Sequence, residues 1–292
     1  MTLAATSELI DARTGSGGAL AAFNVLSLDH AEAVASGAAA AGSSALLQLS
    51  ENAIAFRGAP EPLLAACREI AAESAVPLGI HLDHIQDIAL VARLLPRAHE
   101  FGVGSIMFDG SKLDYGANVS ATRTVVAQAH DAGVWVEAEL GEIGGKDGAH
   151  APGVRTDPDE AAEFVEATGV DGLAVAVGSS HAMRDRSARL DLDLIARLAA
   201  VVPVPLVLHG SSGVPDEVIA AAVWAGIRKV NVGTALNIAY TTALRCALAD
   251  RPDRVDPRGY TAEARAAMAG IVERVCGVVE PHRPRMRSAL LR

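Results

Sequence analysis

Three histidines at the ends of short apolar runs are the residues whose types and spacing best fit metal chemistry. His84 ends PLGIHLDH, His181 follows GLAVAVGSS, and His209 ends PLVLH. Burying an ionisable group without a partner costs several kcal/mol. Ionisable residues at the ends of buried strands therefore predict a shared polar pocket in which they have partners. Neutral imidazoles that converge and leave one open position are typical of catalytic zinc. We therefore predict that His84, His181 and His209 bind Zn²⁺.

Carboxylates accompany these histidines. Asp83 precedes His84 directly and is close enough to a metal-bound substrate to move a proton; the alternative is a hydrogen-bond partner for a ligand histidine. Glu139 and Asp109 end two further apolar runs. Each is either an additional metal ligand or the partner of a basic side chain. His81, deeper in the same run as Asp83, is either an orienting group or a core histidine.

The elements that position these residues alternate regularly along the chain. Eight near-continuously apolar runs, each followed by an Ala-rich helical segment, predict a (β/α)8 TIM barrel, an α/β fold. A doubly wound sheet usually has a Gly-rich turn after its first strand, where this chain has AFNVLSLDH. The predicted strands are 18–25, 44–50, 77–84, 105–110, 134–141, 172–179, 205–212 and 228–234. The predicted helices are 28–42, 60–75, 86–101, 116–132, 157–168, 191–200, 214–225 and 235–249, with a C-terminal helical extension at 261–279.

The polar residues fall at the carboxyl ends of these strands, which meet at one mouth of a barrel. Asn24, Ser50 and Asn231 end strands one, two and eight and are predicted to bind substrate. HGSSGVPDE and NVGTALN are turns that open helices after strands seven and eight. Such turns hold phosphate in many barrels, so the predicted ligand is a phosphorylated small molecule.

Composition narrows the function classes. The chain has 292 residues, half of them apolar, and a net charge of −10, which argues against nucleic acid or a membrane surface as the partner. Three distant cysteines form no readable metal motif or disulfide framework. With no recognisable signal peptide, spanning segment, repeat or linker, we expect a cytoplasmic protein of one domain, residues 1–292.

The ordered set of motifs AFNV, HLDH, SIMFDGS, VEAELGEIGG, VAVGSSH, PLVLHGSSGVPDE and KVNVGTALNIA resembles the class II, zinc-dependent fructose/tagatose-bisphosphate aldolases from about residue 3 to 275. The resemblance implies retro-aldol cleavage of a ketose 1,6-bisphosphate to dihydroxyacetone phosphate and an aldehyde. Zinc on the three histidines would stabilise the enediolate. Asp83 would exchange the C4 hydroxyl proton, Glu139 would offer an alternative metal position, and Asp109 would bind a second cation.

The resemblance also implies a substrate site. Asn231 would contact the enediolate, and Arg258 would reach the far phosphate, often from a neighbouring subunit of a homodimer or homotetramer. The residues that match the phosphate site, which can also bind Na⁺ or K⁺ through carbonyls, are Gly178, Gly210, Ser212, Gly233 and Thr234.

The sequence departs from the family at two places. Asp147, in GGKDGAH, stands where the family usually has a glutamate that exchanges a proton with the substrate; it is the second predicted catalytic residue. Lys112 stands where the family often has His or Glu, and we have no physical interpretation of that change.

Other functions would make different demands on the sequence. A Schiff-base aldolase would need an inward lysine, for which Lys229 has the right parity but too deep a position. A zinc hydrolase of the amidohydrolase type would need His-x-His on the first strand, which has no histidine. A non-catalytic phosphate-binding subunit would have lost these ligands. A ketose with one phosphate, such as a deoxy-keto-gluconate phosphate, is the alternative substrate, and Arg258 would then meet its carboxylate.

Overall fold

The computed structural model describes residues 2–140, 155–179 and 185–281, and its centre is a closed barrel of eight strands. Each strand pairs in parallel with the next, and β1 pairs with β8 to close the sheet. The predicted (β/α)8 TIM barrel is confirmed. The strands are β1 Leu20–Asn24, β2 Ala45–Ser50, β3 Leu78–Ile85, β4 Val103–Phe108, β5 Trp135–Glu139, β6 Gly172–Ala174, β7 Leu206–Leu208 and β8 Ile227–Val232.

Helices surround the barrel, and acidic residues begin several of them. The side chains of Asp87, Asp114, Asp157, Asp191 and Asp256 each accept a hydrogen bond from a first-turn N–H group, which is how such residues begin a helix. The helices are α1 Thr6–Ser16, α2 Leu28–Ala41, α3 Glu51–Arg57, α4 Glu61–Glu73, α5 Ile88–Leu94, α6 Ala98–Phe101, α7 Tyr115–Asp131, α8 Pro158–Thr168, α9 Leu192–Val201, α10 Asp216–Ala225, α11 Thr234–Asp250 and α12 Pro257–Val278.

Side chains from alternate strand positions fill one large core and two smaller clusters. The larger core lies between the sheet and the helices, and includes Phe23, Ile80 and Leu208. In one smaller cluster, inside the barrel, Leu9 and Ile10 of α1 pack against residues of β1 and β2. The other joins one residue each of β4, β6 and β7. Because Leu3 pairs with Leu78 at the start of β3, α1 covers the amino ends of the strands. The opposite mouth is the one that collects the carboxyl ends.

Several predicted element bounds are wrong. The helix predicted at 86–101 is divided by a 3-10 turn, Leu95–Arg97, because Pro96 lacks an N–H group and its ring disfavours a continuous helix. The helix predicted at 261–279 begins at Pro257, whose fixed φ suits a first helical position after the Asp256 cap. The sequence patterns missed α1 and α3. No helix within the described ranges is long and apolar enough to cross a membrane.

Candidate active site

The carboxyl ends of the strands carry most of the residues predicted from the sequence. Asn24, Ser50 and Glu139 are the last residues of their strands, Asp109 and His209 follow theirs directly, and Asn231 is next to last in β8. Asp83 and His84 lie near the end of β3. Eight parallel strands in a closed barrel bring these positions to one mouth, as expected.

His84 reaches the mouth through an irregular backbone. Consecutive residues of a regular strand point to opposite faces, but the pairing of β3 with β4 shifts between Leu82 and Ile85. Within that shift, His84 has a φ of 49°, a left-handed conformation that is uncommon outside glycine. The irregularity lets Asp83 and His84 share one mouth. Such local strain concentrates at functional sites.

His84 and His209 form the centre of the site. Nδ1 of His209 lies 2.9 Å from Nε2 of His84, and the rings are nearly perpendicular, at 88° with centroids 4.7 Å apart. The far nitrogen of each ring meets a carboxylate: His84 Nδ1 lies 3.0 Å from Asp109 Oδ2, and His209 Nε2 lies 2.8 Å from Glu137 Oε1. The two facing nitrogens are therefore oriented toward each other by acidic partners.

The carboxylates around His84 act on the pKa of its ring. Burial by itself lowers the pKa of His84, but the carboxylates of Asp83, Asp109 and Glu139 outweigh it and raise that pKa to about 10. Burial works against ionisation of Asp109, yet its hydrogen bond from His84 keeps the pKa of Asp109 well below the usual range. The imidazolium of His84 can therefore donate Nε2–H to His209 Nδ1.

The donor atoms fit a divalent cation. One ligand atom from each of Asp83, His84 and His209 lies within 4.8 Å of the others, and the same holds for His84, Asp109 and Glu139. Two nitrogens on one tetrahedral zinc lie roughly 3.3 Å apart when each Zn–N bond is about 2.05 Å, so the facing nitrogens need to separate by only a few tenths of an ångström.

Asp109 has a position that differs from that of a simple metal ligand. Its Oδ2 contacts His84 and accepts from Gln86 Nε2 at 3.0 Å. Its Oδ1 accepts from the backbone N–H of Ser111 at 3.1 Å and from the hydroxyl group of the same residue. These bonds fit a carboxylate that orients a ligand histidine. A metal-binding role for Asp109 stays a prediction.

Asp83 lies inside the mouth, 2% exposed. Burial raises the pKa of its carboxyl group, while the neighbouring cations of His84 and Lys229 lower it in part. Asn231 donates from Nδ2 to Asp83 Oδ1 across 3.5 Å. A buried carboxyl group with a raised pKa beside two imidazoles has the properties of a general acid and base.

Asn24 and Ser50 occupy the mouth with partners of their own. Gln48 donates from Nε2 to Asn24 Oδ1 at 2.7 Å. The hydroxyl oxygen of Ser50 accepts from the N–H of Ala53 at 3.2 Å and so caps α3. Both side chains are partly accessible, so substrate contact by either stays a prediction.

The turns after β7 and β8 are joined to each other. Ser212 Oγ accepts from the N–H of Ala235 in the first turn of α11 at 3.1 Å. Ser211 donates its hydroxyl proton to the carbonyl oxygen of Asn231. Gly233 precedes Thr234 at the start of the 17-residue helix α11, and Gly210 has a φ of 64°. The amino end of a helix beside a Gly/Ser turn is a favourable place for an anion.

Gly178, on the loop after β6, cannot be replaced without movement. Its φ is 118°, and a Cβ there would collide with the carbonyl oxygen of Arg189. The same point lies 3.2 Å from a guanidinium nitrogen of Arg155. The sequence patterns had not singled out Arg155, a cation that lies beside the predicted phosphate loop.

A layer of polar residues lies below the mouth, and the sequence reasoning had placed only His81 and Lys229 at that depth. The expectation that polar groups occur only at strand ends is wrong, because Gln48, His81, Ser105, Glu137 and Lys229 are all buried one step deeper. Glu137 was not recognised, although its spacing of two from Glu139 was the available signal.

His81 belongs to this layer. Its Nδ1 lies 2.8 Å from Ser105 Oγ, and burial lowers its pKa well below the ordinary value. Nε2 of His81 lies about 4 Å from Asp83 and Glu137 (4.0 and 3.9 Å). The neutral ring separates these two carboxylates, so both earlier interpretations, an orienting group and a core histidine, remain open.

Three predicted residues are not brought into the site by the described part of the chain. His181 and Asp147 lie outside the described residues. Arg258, in the first turn of α12, has a side chain that is 89% exposed and bound to Asp256. A role for Arg258 at the mouth stays a prediction.

The chain is similar to known proteins in sequence and in fold. A family model described as fructose-bisphosphate aldolase class-II matches residues 4–282. The YdjI aldolase from Escherichia coli K12 is 29% identical, with a TM-score of 0.79, over 94% of this chain and 96% of that one. A protein of Coccidioides immitis, described as a candidate fructose-1,6-bisphosphate aldolase, is 30% identical, with a TM-score of 0.83 and the same coverage of both chains. A fructose-bisphosphate aldolase from Campylobacter jejuni, 21% identical with a TM-score of 0.80 over 94% of both chains, supports the fold alone.

Proposed function

Because this chain belongs to the class II fructose-bisphosphate aldolase family and is therefore a lyase, we propose that it cleaves a ketose 1,6-bisphosphate reversibly. The substrate is fructose or tagatose 1,6-bisphosphate, and the products are dihydroxyacetone phosphate and glyceraldehyde 3-phosphate. The observation that carries the proposal is the pair of facing imidazoles, His84 and His209, with the buried carboxyl group of Asp83 beside them.

His84, His209 and His181 are the proposed ligands of one Zn²⁺. When bound, zinc supplies a Lewis-acid charge for the electron pair that remains when the C3–C4 bond of the substrate breaks. The contacts of His84 with Asp109 and of His209 with Glu137 orient the rings for this role. Glu139 and Asp109 are the proposed acceptors of a displaced or second cation.

Asp83 is the proposed acid and base. In cleavage, its carboxylate takes the proton of the C4 hydroxyl group as the C3–C4 bond breaks, and in condensation it returns that proton. Burial favours this exchange because it raises the pKa of Asp83 toward the working pH. Asn231, which faces Asp83, is the proposed contact of the enediolate. Asp147 is the proposed second proton carrier.

The turns after β6, β7 and β8 are the proposed site of the dihydroxyacetone-phosphate phosphate group. Ser212 already accepts from Ala235, so its hydroxyl proton is available to a phosphate oxygen. Backbone N–H groups at the start of α11 and the guanidinium of Arg155 add donors. Na⁺ or K⁺ held by carbonyl groups is a further proposed component. The residues that form the site are Gly178, Gly210, Ser212, Gly233 and Thr234.

A Schiff-base mechanism is disfavoured by the position of Lys229. Its side chain is 0% exposed and bonds to Glu137 and Asn231. An amine held in this way has no access to a substrate carbonyl group at the mouth.

The position of Arg258 bears on the substrate class, because this guanidinium is the proposed partner of the far phosphate or of a carboxylate in its place. Its guanidinium is exposed on α12 and bound to Asp256, so a second phosphate would need Arg258 from a neighbouring subunit of a homodimer or homotetramer, as we propose. A keto-sugar acid with a single phosphate is the alternative.

Either substrate is a charged ester that does not cross a bilayer, which supports the proposed cytoplasmic location.

The deciding experiment measures aldol cleavage by the zinc-loaded protein on fructose 1,6-bisphosphate, tagatose 1,6-bisphosphate and a deoxy-keto-gluconate phosphate. We expect cleavage of a bisphosphate, abolished by a chelator, and a loss of about 10²–10⁴-fold in kcat for Asp83→Asn. Turnover of the acid sugar alone would show that the bisphosphate assignment is wrong. Activity that survives chelation, together with a covalent enzyme–substrate adduct trapped by borohydride, would show that the metal mechanism is wrong.

A further inference from the structure

A buried ion pair lies directly beneath the mouth, and the proposed chemistry uses only the contact of its carboxylate with His209 and gives Lys229 no part. Lys229 Nζ donates to Glu137 Oε2 at 2.7 Å, and both side chains are 0% exposed. Removing two charges from water costs several kcal/mol per ion after relaxation, and apolar residues of similar size are often no worse for stability. Stability alone therefore gives a weak reason for this pair.

The second oxygen of Glu137 contacts a proposed zinc ligand. Glu137 Oε1 lies 2.8 Å from His209 Nε2, and an ionised carboxylate can only accept hydrogen bonds. Nε2 must therefore carry the proton of a neutral His209 ring. The lone pair is then on Nδ1, the nitrogen that faces His84 Nε2 at 2.9 Å. Glu137 selects the tautomer that a metal ligand needs.

The second hydrogen bond of Lys229 goes to another site residue. Its Nζ donates to Asn231 Oδ1 at 2.8 Å. An ammonium group cannot accept, so it fixes the amide with oxygen toward Lys229. The amide NH₂ group of Asn231 must then face Asp83 Oδ1, at 3.5 Å. It also lies 3.1 Å from His209 Nε2, and this contact is not a hydrogen bond in the proposed tautomer, because a protonated Nε2 cannot accept.

We propose that Lys229 and Glu137 are positioning residues: the pair holds His209 in its Nε2-protonated tautomer for the metal and holds the Asn231 amide toward Asp83. The metal part of this inference rests on the proposed function. One buried ammonium group, without touching substrate or metal, thereby sets the orientation of a ligand and of a substrate-binding side chain.

The alternative is that the pair merely fills the barrel, and a charge-free replacement separates the two cases. Glu137→Leu/Lys229→Met removes both charges together and keeps similar volumes, so neither charge is left buried alone. If the pair only fills space, this double variant behaves like the parent protein in every measurement. If it positions His209, folding survives while the affinity for zinc falls.

We expect the double variant to keep the circular dichroism spectrum and, within a few degrees, the unfolding midpoint of the parent. Zinc affinity, measured by competition with a chelating dye, should fall 10–100-fold, the usual effect of losing an outer partner of a ligand histidine. The visible spectrum of the Co²⁺-loaded protein should change in band position or intensity, because the ligand geometry is no longer fixed.

A metal-free readout tests the tautomer directly. In protein labelled with ¹⁵N-histidine, long-range ¹H–¹⁵N spectra distinguish protonated from unprotonated ring nitrogens, and a His209→Gln sample identifies the signal. We expect protonated Nε2 in the parent and mixed or reversed protonation in the double variant. The spectrum reports the His209 tautomer even if the protein cleaves none of the three sugars. Failure of the proposed function is detected separately, by the cleavage assay.

Two further variants keep the test decisive if the double variant does not fold. In Glu137→Gln the retained Lys229 attracts the amide oxygen, so the amide NH₂ group faces His209 and favours the wrong tautomer; zinc affinity should again fall at least 10-fold. Thr6→Val is the matched control, since Thr6 is equally buried and bonds to Ser105 of the polar layer. It should leave zinc affinity unchanged.

The inference is overturned by protonated Nδ1 on His209 in the parent protein. It is equally overturned if the zinc affinity of the double variant, or of Glu137→Gln, stays within threefold of the parent value.

Discussion

At the scale of single residues, the three cysteines differ in thiol reactivity because they differ in burial. Cys67 and Cys276 are buried, whereas Cys246 on α11 is exposed. Burial raises the pKa of the Cys67 thiol to about 12 and that of Cys276 to about 11. A thiol with a pKa near 12 is ionised in roughly one molecule in 10⁴ at pH 8.

We therefore expect one fast-reacting thiol per native chain at pH 8. Titration with a chromogenic disulfide reagent should report Cys246 alone, and all three thiols after unfolding in guanidinium. Cys246→Ser is the matched control and should reduce the native count to zero. Equal reaction rates for the three thiols in the native protein would contradict the described burial.

Among the secondary-structure elements, the contact of α2 with α12 depends on a glycine that the strand–helix pattern gave no reason to notice. A Cβ at Gly37 would lie 2.6 Å from Cβ of Val272 and would also meet the carbonyl oxygen of Ala269. At Gly270, in the exposed face of α12, a Cβ would meet nothing within 4 Å.

Replacing these two glycines by alanine should change the free energy of unfolding in opposite directions. Gly37→Ala should lower the free energy of unfolding by about 1–3 kcal/mol, because it overpacks the helix contact. Gly270→Ala should raise it by about 0.5–1 kcal/mol, because alanine is the better helix former. Urea unfolding midpoints measure both changes. A stable Gly37→Ala variant would show that α12 is not packed against α2 as described.

At the scale of the whole molecule, metal binding and folding are coupled if the proposed site is right. A ligand present at 100 times its Kd, and bound only by the folded state, stabilises it by about 2.7 kcal/mol. For a chain of this size that corresponds to a rise in Tm of roughly 5 °C or more.

Thermal unfolding with and without excess Zn²⁺ measures this coupling. We expect the rise in Tm for the parent protein, its reversal by a chelator, and a much smaller rise for His209→Ala. A rise of equal size in that variant would place the zinc elsewhere. A single transition would also support the prediction that residues 1–292 form one domain.

The sequence alone predicted the fold more completely than the site. The eightfold alternation of apolar runs with helical segments was sufficient for the barrel, because a parallel sheet covered by helices requires that pattern. The predicted bounds were wrong in places: Pro96 divides one helix, and β6 and β7 are only three residues long. Local patterns carry no information on how far neighbouring strands pair.

The sequence by itself determined the barrel, the mouth and the types of residue that meet there, since strand order and side-chain parity fix which positions face inward. Only the tertiary structure decided which nitrogen of His209 faces His84, that Asp109 contacts the remote nitrogen of His84, and that Lys229 is joined to Glu137. The physical reason is distance along the chain. Lys229 and Glu137 are 92 residues apart, and a hydrogen bond between them exists only after the sheet has closed and water has been excluded from its interior.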